Sequence, residues 1–302
     1  MNNPQKPVVV VGSLNMDLVL RVARSPEAGE TLIGRDFATM PGGKGANQAV
    51  ACARLGSRVL MVGRVGADAF GRDLREAMRA DGIDSTFVST DDHAATGVAM
   101  ILVEDTGQNR IVVASGANAT LAAPHLDAAA ASIEQAALMI LQLEVPLATV
   151  EDAIGIARRA SVPVLLNPAP AQALPDRLWP AIDYLVPNET EAALLAGCPV
   201  TDPQSAAAAA AVFRARGVRH VLVTLGEQGV LIAGPGGTQH VPAFPAQAVD
   251  TTAAGDTFIG GFATGLLEGM NLEQATRLGQ QAAAFCVARL GAQPSIPFRT
   301  DL

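Results

Sequence analysis

Residues 250–258 read DTTAAGDTF, and they lead through the Gly260-Gly261 pair into an apolar helical pattern. The residues just ahead of that pattern, Ala253 to Gly255, carry almost no side chain, so the backbone N–H groups of the first helical turn are predicted to be unobstructed. Such free N–H groups form an anion site. Asp256 is predicted at the mouth of this site, where its carboxylate either caps the helix or accepts a proton from a nucleophile that attacks a bound phosphate. The motif alone favours the capping turn.

The composition predicts a soluble globular protein with neither a nucleic-acid nor a membrane partner. The chain has 302 residues, of which 49% are hydrophobic, enough for a large core. Its formal net charge is −8 and its 21 lysines and arginines are scattered, whereas binding to a nucleic-acid backbone needs clustered positive charge. No window approaches the roughly eighteen unbroken apolar residues of a membrane-spanning helix.

The cysteines and the start of the chain predict a cytoplasmic location. Cys52, Cys198 and Cys286 lie far apart without a C-x-x-C pair, which favours a reducing compartment over a disulfide framework. Residues 1–7 lack the charged lead and the cleavage site of a signal peptide. The four histidines show no ligand spacing, so a metal site built from histidine is not expected.

Strand-like and helix-like segments alternate along most of the chain, which predicts an α/β fold with a doubly wound, mostly parallel sheet flanked by helices. Two segments interrupt this alternation. Residues 18–40 are short and strand-like, and residues 96–114 have the pattern of a hairpin. We expect one α/β domain over residues 1–302, with a small sheet from about 18–40 and 96–114 that is either a lid or an ordinary surface extension. The main strands are predicted at 8–11, 58–65, 138–143, 164–166, 184–186 and 221–224, and helices at 50–56, 73–80, 149–159 and 205–216.

Polar residues recur just after predicted strands, at the edge where open parallel sheets bind ligands. Asn15 and Asp17 share one face of an extended segment and either bind a polyol or form a turn. Asn188 and Glu191 stand three residues apart at a helix start, which fits a capping box, the safer interpretation, or a pair of oxygen ligands near a metal-bound phosphate. The residues with this placement are Asn15, Asp17, Glu144, Asn188 and Thr224.

A second glycine-rich stretch, PGGKGANQA at residues 41–49, precedes a helical pattern. Its glycines let the backbone approach a ligand, and Lys44 and Asn47 could reach a small bound molecule. An ordinary glycine turn that starts a helix is an equal alternative. The spacing matches neither a Walker loop nor the G-x-G-x-x-G fingerprint of dinucleotide-binding proteins.

Taken together, the motifs resemble those of the ribokinase family of sugar kinases. The two longest blocks are residues 42–49, with the glycines of 63–66, and residues 250–262. Shorter blocks agree in order and spacing, so the resemblance spans nearly the whole chain, and it is far more specific than either long block alone. The shorter blocks are residues 15–17, 142–144, 167–170, 187–191 and 291–295.

The resemblance implies a doubly wound α/β fold with a small β lid that closes over a sugar and forms a homodimer contact. It implies ATP-dependent phosphorylation of D-ribose at O5, with Asp256 as the base that deprotonates the sugar hydroxyl. The amides of Ala253, Ala254 and Gly255 are implied to form the anion hole for the transferring phosphoryl group, which suits a reaction that depends on positioning and charge stabilisation.

The resemblance also implies three sets of binding residues and two metal ions, Mg²⁺ and an activating monovalent cation, expected to be K⁺. Glu191 is implied to act on Mg²⁺ through water, and the loops of the cation site act mostly through backbone oxygens. The implied sugar-binding residues are Asn15, Asp17, Gly43, Lys44, Asn47, Glu144 and Asp256. Those implied for the nucleotide are Asn188, Thr224, Gly226 and Gly229, and those for the cation are Asp250, Thr252, Cys286, Arg289, Gly291 and Ser295.

The chain departs from the family pattern at two places. Members of the wider family often have Gly-Ala-Gly-Asp where this chain has Ala at position 253, a change that should leave the amides available. The chain ends at Leu302, soon after Pro297-Phe298, so a final segment of the family is expected to be shortened or absent.

Three other functions stay open from the sequence. One is a kinase for another sugar or a nucleoside, such as deoxyribose, fructose or adenosine. Another is a sugar-binding protein without turnover, and Asp256 and Lys44 argue against it. The third, a dinucleotide-dependent oxidoreductase, is disfavoured by the missing glycine fingerprint.

Overall fold

The computed structural model describes residues 6–106 and 108–302. The described residues form thirteen strands and eight α-helices, joined by short 3₁₀ turns. The strands are β1 (Val8–Val11), β2 (Asn15–Val22), β3 (Arg35–Gly42), β4 (Val59–Gly66), β5 (Asp84–Asp91), β6 (Gly97–Glu104), β7 (Asn109–Ala114), β8 (Leu138–Leu141), β9 (Val164–Leu166), β10 (Tyr184–Leu185), β11 (His220–Thr224), β12 (Val230–Gly234) and β13 (Gly237–Val241). The helices are α1 (Lys44–Arg54), α2 (Ala69–Ala80), α3 (Ala123–Glu134), α4 (Leu147–Arg159), α5 (Glu189–Ala196), α6 (Pro203–Ala215), α7 (Ala254–Leu267) and α8 (Leu272–Val287).

The main sheet has nine strands in the order β13-β12-β11-β10-β9-β8-β1-β4-β5. Strands β5 to β11 in this order pair in parallel, and β12 and β13 add an antiparallel hairpin at one edge. The strand order reverses at β1, so the carboxyl ends of the central strands meet at one edge beside this switch point. The predicted doubly wound, mostly parallel sheet is confirmed.

Strand β1 shows why an unbroken apolar run forms the centre of this sheet. All four of its valines are buried, as expected for a parallel strand covered on both faces. Val9 and Val11 face one hydrophobic core, beneath α3, α4 and α6, and Val8 and Val10 face the other, beneath α1, α2, α7 and α8. Alternate side chains of one strand therefore tie both helical layers to the sheet.

The predicted small sheet is also confirmed, with four strands in the order β3-β2-β6-β7. Its central pair, β2 and β6, is parallel, and the two outer strands are antiparallel to their neighbours. The sheet therefore combines the segment after β1 with the hairpin that follows β5. Gly107, in the predicted loop of that hairpin, and residues 1–5, part of the start used to argue for a cytoplasmic location, lie outside the described residues.

The boundary predicted for α2 is wrong by four residues, since the helix begins at Ala69 and not at residue 73. Asp68 caps the helix by accepting a hydrogen bond from the amide of Gly71 at 2.8 Å. A glycine in the first turn lowers helix propensity and hid this start from the pattern. The strand predicted over 138–143 ends earlier, at Leu141, because the chain then turns into the candidate site.

None of the described helices has the length and apolar character needed to cross a lipid bilayer. All three cysteines are free thiols, and two of them, Cys52 and Cys286, are buried.

Candidate active site

The first turn of helix α7 contains backbone amides that have no backbone hydrogen-bond partner among the described residues. Its N-cap, Ala253, has a φ of 60°, a left-handed conformation that is uncommon outside glycine. The amide of Ala254 donates to the carbonyl of Thr251 at 3.2 Å. Across residues 6–106 and 108–302, no backbone acceptor pairs with the amides of Gly255 and Asp256. A Cβ placed on Gly255 would have no atom within 4 Å, so this turn faces open space and can accept an anion.

The carboxylate of Asp256 lies beside those amides and is held from helix α1. It is only 7% exposed, and its two oxygens accept hydrogen bonds from Asn47 Nδ2 at 3.0 Å and Gln48 Nε2 at 2.8 Å. Burial raises the pKa of Asp256, although the charge of Lys44 and the two amide hydrogen bonds oppose that rise. A fixed carboxylate with a raised pKa is suited to accept a proton.

A glycine contact between α1 and α7 makes these hydrogen bonds possible. A Cβ on Gly260 would lie 2.3 Å from Ala51 Cβ, so the two helices approach more closely than side chains at these positions would permit. Each glycine of the predicted Gly260-Gly261 pair thus has a structural role. Gly260 permits the close approach of α1, which carries Asn47 and Gln48, whereas Gly261 packs against Gly279 of α8.

The start of α1 is equally crowded and also needs glycine. Gly43, the N-cap, has a φ of 90°, and a Cβ there would lie 2.7 Å from the backbone nitrogen of Asn15. The next amide, of Lys44, donates to Glu144 Oε2 at 3.1 Å, and Ser13 Oγ donates to the same oxygen at 2.5 Å. Glu144, just beyond β8, is therefore fixed against the start of α1.

The ammonium group of Lys44 lies in the field of three carboxylates. Burial lowers the pKa of Lys44, but the charges of Asp256, Glu144 and Glu191 outweigh it and leave the pKa above its usual value. Lys44 therefore stays positively charged. It stands between residues predicted to bind a sugar and Glu191, which was predicted on the nucleotide side.

The small sheet contributes Asn15 and Asp17 from strand β2, and both are buried. Asn15 Oδ1 accepts a hydrogen bond from Asn118 Nδ2 at 2.8 Å. Burial raises the pKa of Asp17 to about 7, helped by the negative charges of Glu144 and Asp256. This coupling places Asp17 near those two carboxylates, so the small sheet and the main sheet share one polar site.

The residues predicted on the nucleotide side lie at the ends of β10 and β11. Asn188 Oδ1 accepts from the amide of Glu191 at 2.8 Å, and Glu191 Oε2 accepts from the amide of Asn188 at 2.9 Å, so the predicted capping box is present at the start of α5. Asn188 also forms a parallel bridge with Thr224. Gly226 and Gly229 follow in a tight turn with φ values of 51° and 98°.

Glu191 has one carboxylate oxygen in the capping box, and the other is not used there. Burial raises the pKa of Glu191. Within the described part of the chain, no group of three or more His, Cys, Asp or Glu residues is arranged to hold a metal ion. Mg²⁺ commonly needs only one or two carboxylates besides substrate phosphates, so Glu191 fits a role beside a nucleotide-bound ion.

The loops predicted to hold a monovalent cation are joined by Asp250. Its Oδ1 accepts from Thr252 at 2.9 Å (N) and 2.6 Å (Oγ1), and its Oδ2 accepts from the amide of Gly291 at 2.9 Å. Burial would raise the pKa of Asp250, but these hydrogen bonds hold it below the usual value. An ionised carboxylate that joins these two loops supplies negative charge, which would favour a cation held between them.

The other predicted cation residues are near this loop. Cys286 Sγ lies 3.0 Å from Ser295 Oγ and 3.6 Å from the carbonyl of Thr252. The guanidinium of Arg289 stacks over the ring of Phe285 at 3.7 Å, so its side chain is engaged there. Arg289 would then serve a cation through its backbone.

Four further residues, to which the sequence assigned no role, support the site. Asn118 fixes Asn15, Ser13 fixes Glu144, and Gln48 and Gln142 lie behind Asp256. Gln48 and Gln142 fall within the motifs that resemble the family, and this position in the sequence could have identified them. Asn118 had none, because only the folded chain brings the turn after β7 against the segment before β2.

A doubly wound sheet with an added small sheet, and a buried carboxylate beside free helix amides, fit a kinase that acts on a small molecule. The model of the pfkB family carbohydrate kinases matches residues 5–299. The chain belongs to this family of phosphotransferases, and the resemblance inferred from its motifs is confirmed.

Individual relatives match over nearly the whole chain. It is 46% identical over 297 residues to a ribokinase of Haemophilus influenzae, covering 98% of this chain and 97% of the relative. It is 40% identical over 291 residues to a deoxyribokinase of Salmonella typhi, covering 96% and 95%. Among solved structures, the Arabidopsis thaliana ribokinase complexed with ribose and ATP is similar with a TM-score of 0.92, 36% identity and coverage of 98% and 96%.

Proposed function

We propose that this enzyme transfers the γ-phosphoryl group of ATP to O5 of D-ribose and releases ribose 5-phosphate and ADP. The observation that carries this proposal is the buried Asp256 carboxylate. It is held by the side-chain amides of Asn47 and Gln48, and it lies next to unpaired backbone amides in the first turn of α7. The similarity to the H. influenzae ribokinase and to the ribose and ATP complex from A. thaliana supports ribose as the acceptor.

In the proposed reaction, Asp256 accepts the proton of the ribose O5 hydroxyl. A bond forms between O5 and the γ-phosphorus while the bond from that phosphorus to the bridging oxygen breaks, and the electron pair leaves with ADP. The amides of Ala253, Ala254 and Gly255 stabilise the phosphoryl oxygens as charge develops on them. Since the Ala254 amide is shared with Thr251, the Gly255 amide is the freer of these donors.

The sugar is proposed to lie between the small sheet and α1. Buried carboxylates and amides there can recognise the hydroxyl groups of a sugar. A ligand that lacks one of these hydroxyls would leave a buried polar side chain without a hydrogen bond, which costs binding free energy. The small sheet supplies two of these residues, which supports its role as a lid on one α/β domain formed by the chain. The proposed sugar-binding residues are Asn15, Asp17, Gly43, Lys44, Asn47, Glu144 and Asp256.

The nucleotide is proposed to lie along the ends of β10 and β11, against Asn188, Thr224, Gly226 and Gly229. Glu191 would hold Mg²⁺ through water, and the ion would neutralise charge on the phosphates. Lys44 keeps its charge between the two substrates and would attract the transferring phosphoryl group.

We also propose activation by K⁺ through Asp250, Thr252, Cys286, Arg289, Gly291 and Ser295. The support is the ionised Asp250 carboxylate that ties together two loops, one of which leads directly into the anion site. Turnover is expected to be several-fold faster in KCl than in NaCl at equal ionic strength. Equal rates in both salts would contradict this assignment.

A homodimer through the small sheet is proposed from its exposed apolar face. Phe37, Met100 and Val112 are 65%, 56% and 69% exposed. In the strand register they lie on the face that also carries Leu18 and Leu20, opposite the face of Asp17. Such a patch marks an interaction surface. A cytoplasmic location is proposed as well, supported by the three free thiols.

A 2-deoxyribose kinase is the second candidate, favoured by the similarity to the S. typhi deoxyribokinase. The two sugars differ in one hydroxyl group. A coupled assay of ADP release across ribose, deoxyribose, fructose and adenosine separates them. We expect the highest kcat/KM with ribose; a higher value with deoxyribose would replace ribose, and no sugar-dependent ADP release would indicate a binding protein.

A further inference from the structure

Behind Asp256 lies a chain of three buried amide side chains that the proposed reaction does not use. Gln48 and Gln142 are fully buried, and Asn167 is 8% exposed. They come from α1, from the residue after β8 and from the residue after β9. We propose that Gln48 is a positioning residue that fixes the orientation of the Asp256 carboxylate, and that Gln142 fixes Gln48. This inference rests on the proposed role of Asp256 as the base.

Every polar atom of the Gln48 side chain has a partner. Its Nε2 donates to Asp256 Oδ1 at 2.8 Å and to Asn167 Oδ1 at 3.2 Å, which uses both N–H bonds. Its Oε1 accepts from Gln142 Nε2 at 2.5 Å. A rotation of this amide by half a turn would put an oxygen against the carboxylate and a nitrogen against another donor. The network therefore permits one orientation only.

Gln142 orients Gln48, but one of its own polar atoms is left without a hydrogen bond. Its Oε1 is a buried acceptor without a hydrogen-bond partner, and buried groups of this kind are rare. That oxygen fills the space beside Gly12, where a Cβ would lie 2.0 Å away. The end of β1 is thus shaped to hold Gln142 with its nitrogen toward Gln48. The unpaired Oε1 is consistent with a side chain whose role is to donate from Nε2 to Gln48.

Asn167 completes the support of Gln48 from the opposite side. Its Oδ1 accepts from Gln48, and its Nδ2 donates to the carbonyl of Val186 at 2.9 Å, just beyond β10. Three strand ends are thereby joined to one amide. The carboxylate orientation is then fixed by the sheet itself and not only by the helix that carries Asp256.

The carboxylate also faces several ionisable groups, and these residues must stay unchanged in any test. They are Lys44 from α1, Asp17 from β2, Glu144 after β8, Glu191 from α5 and Cys286 from α8. All of these residues are the same in a Gln48 variant and in the parent protein. The difference between the two pH profiles therefore reports the loss of the Gln48 amide donor.

The test is the pH dependence of ribose kcat/KM for Gln48→Met, which keeps the length of the side chain and removes its polar atoms. Loss of a donor to the ionised carboxylate favours the protonated form, so the acid limb of the profile should move up by about one pH unit. Gln142→Met should move it in the same direction by less. If Gln48→Met fails to fold, Gln142→Met carries the same test.

The matched control is Ser57→Ala. Ser57 forms a buried hydrogen bond of 2.9 Å with Thr264 on the same helix α7, two turns beyond Asp256. Its removal should lower the melting temperature without moving the pH profile. Profiles of Gln48→Met and Gln142→Met that superimpose on that of the parent would overturn the inference.

The variant Asp256→Asn, measured in the same assay, distinguishes a failure of the positioning role of Gln48 from a failure of the proposed role of Asp256 as the base. If that variant is inactive and the Gln48→Met profile is unmoved, only the positioning role is wrong. If Asp256→Asn turns over normally, the base assignment is wrong, and the positioning role falls with it.

Discussion

At the residue scale, the site depends on two buried carboxylates with different surroundings. Asp256 accepts hydrogen bonds from Asn47 and Gln48, which oppose the rise in pKa caused by burial. For Asp17, burial and the neighbouring carboxylates all act in one direction and bring the pKa to about 7. Asp256 is thus fixed for proton transfer, while Asp17 is free to change its charge near neutral pH.

The raised pKa of Asp17 predicts a pH-dependent stability. A carboxyl group whose pKa is higher in the folded state than in the unfolded state stabilises the fold below the unfolded value, and this contribution is lost as the pH rises through the folded value. Between the ordinary value of 3.8 and about 7, the folded protein holds a proton that the unfolded chain has released. Asp17→Asn should therefore be more stable relative to the parent at pH 8 than at pH 4.

The size of that difference is up to about 4 kcal/mol, from roughly three pKa units. Thermal or urea unfolding of both proteins without ligands, at the two pH values, measures it. A stability difference that is the same at pH 4 and pH 8 would show that Asp17 has an ordinary pKa in the folded protein.

At the element scale, helix α5 gives Glu191 two separate tasks. Its carboxylate closes the capping box with Asn188, and it is proposed to act on Mg²⁺ through water. A capping box needs an acceptor, which glutamine also provides, whereas the interaction with Mg²⁺ benefits from negative charge. The two tasks can therefore be separated by substitution.

Glu191→Gln should keep the stability of the parent and lower kcat/KM for MgATP by roughly tenfold. Glu191→Ala should lose the same activity and, in addition, about 1 kcal/mol of stability through the lost cap. Steady-state kinetics with varied MgATP, together with thermal unfolding, check both. Full activity of Glu191→Gln would remove Glu191 from the metal interaction.

The elements also show which parts of the fold the sequence could predict. Strand β1 and the β6–β7 hairpin follow from short-range patterns of apolar and turn residues, and they were predicted. Helix α1 was predicted only from residue 50, although it begins at Lys44 within the glycine-rich stretch. Strand β5, with the sequence DSTFVSTD, is an edge strand exposed on one side, so it lacks the apolar run of a central strand. The β12–β13 hairpin was missed although its turn, Gly234-Pro235-Gly236-Gly237, is a local signal between two short strands.

The same division holds within the site. The glycine motifs placed the amides and Asp256 at a helix start, because that information is local. The contacts of Gln48, Gln142 and Asn118 join segments separated by 208, 94 and 103 positions, so only the folded chain reveals them. Roles for metal ions and substrates came from the family resemblance, since the residues alone favoured helix capping for Asp256 and for the pair Asn188 and Glu191.

At the scale of the whole molecule, the small sheet carries the polar site residues on its inner face and exposed apolar side chains on its outer face. The inner face carries Asn15 and Asp17, and the outer face carries Phe37, Met100 and Val112. A homodimer through the outer face would cover these residues and steady the side of the sheet that is proposed to touch the sugar.

Met100→Glu should convert the proposed dimer to a monomer, because a charge at the centre of an apolar interface must be desolvated. Sedimentation velocity measures the mass. Leu194→Glu is the matched control, since Leu194 is similarly exposed, at 60%, but lies on α5. A parent protein that is monomeric, or a Met100→Glu variant that keeps the parent's mass, would contradict this interface.

The proposed reaction brings both sheets and both long motifs to one carboxylate, so the central claim is that Asp256 accepts the proton of the sugar hydroxyl. The most direct measurement is the single-turnover rate of ADP formation from ribose and ATP by Asp256→Asn, with ribose binding measured by calorimetry on the same sample. A general base contributes about 10²- to 10⁴-fold to a rate, so the rate should fall by that factor while ribose affinity changes little. A rate close to that of the parent protein would contradict the account.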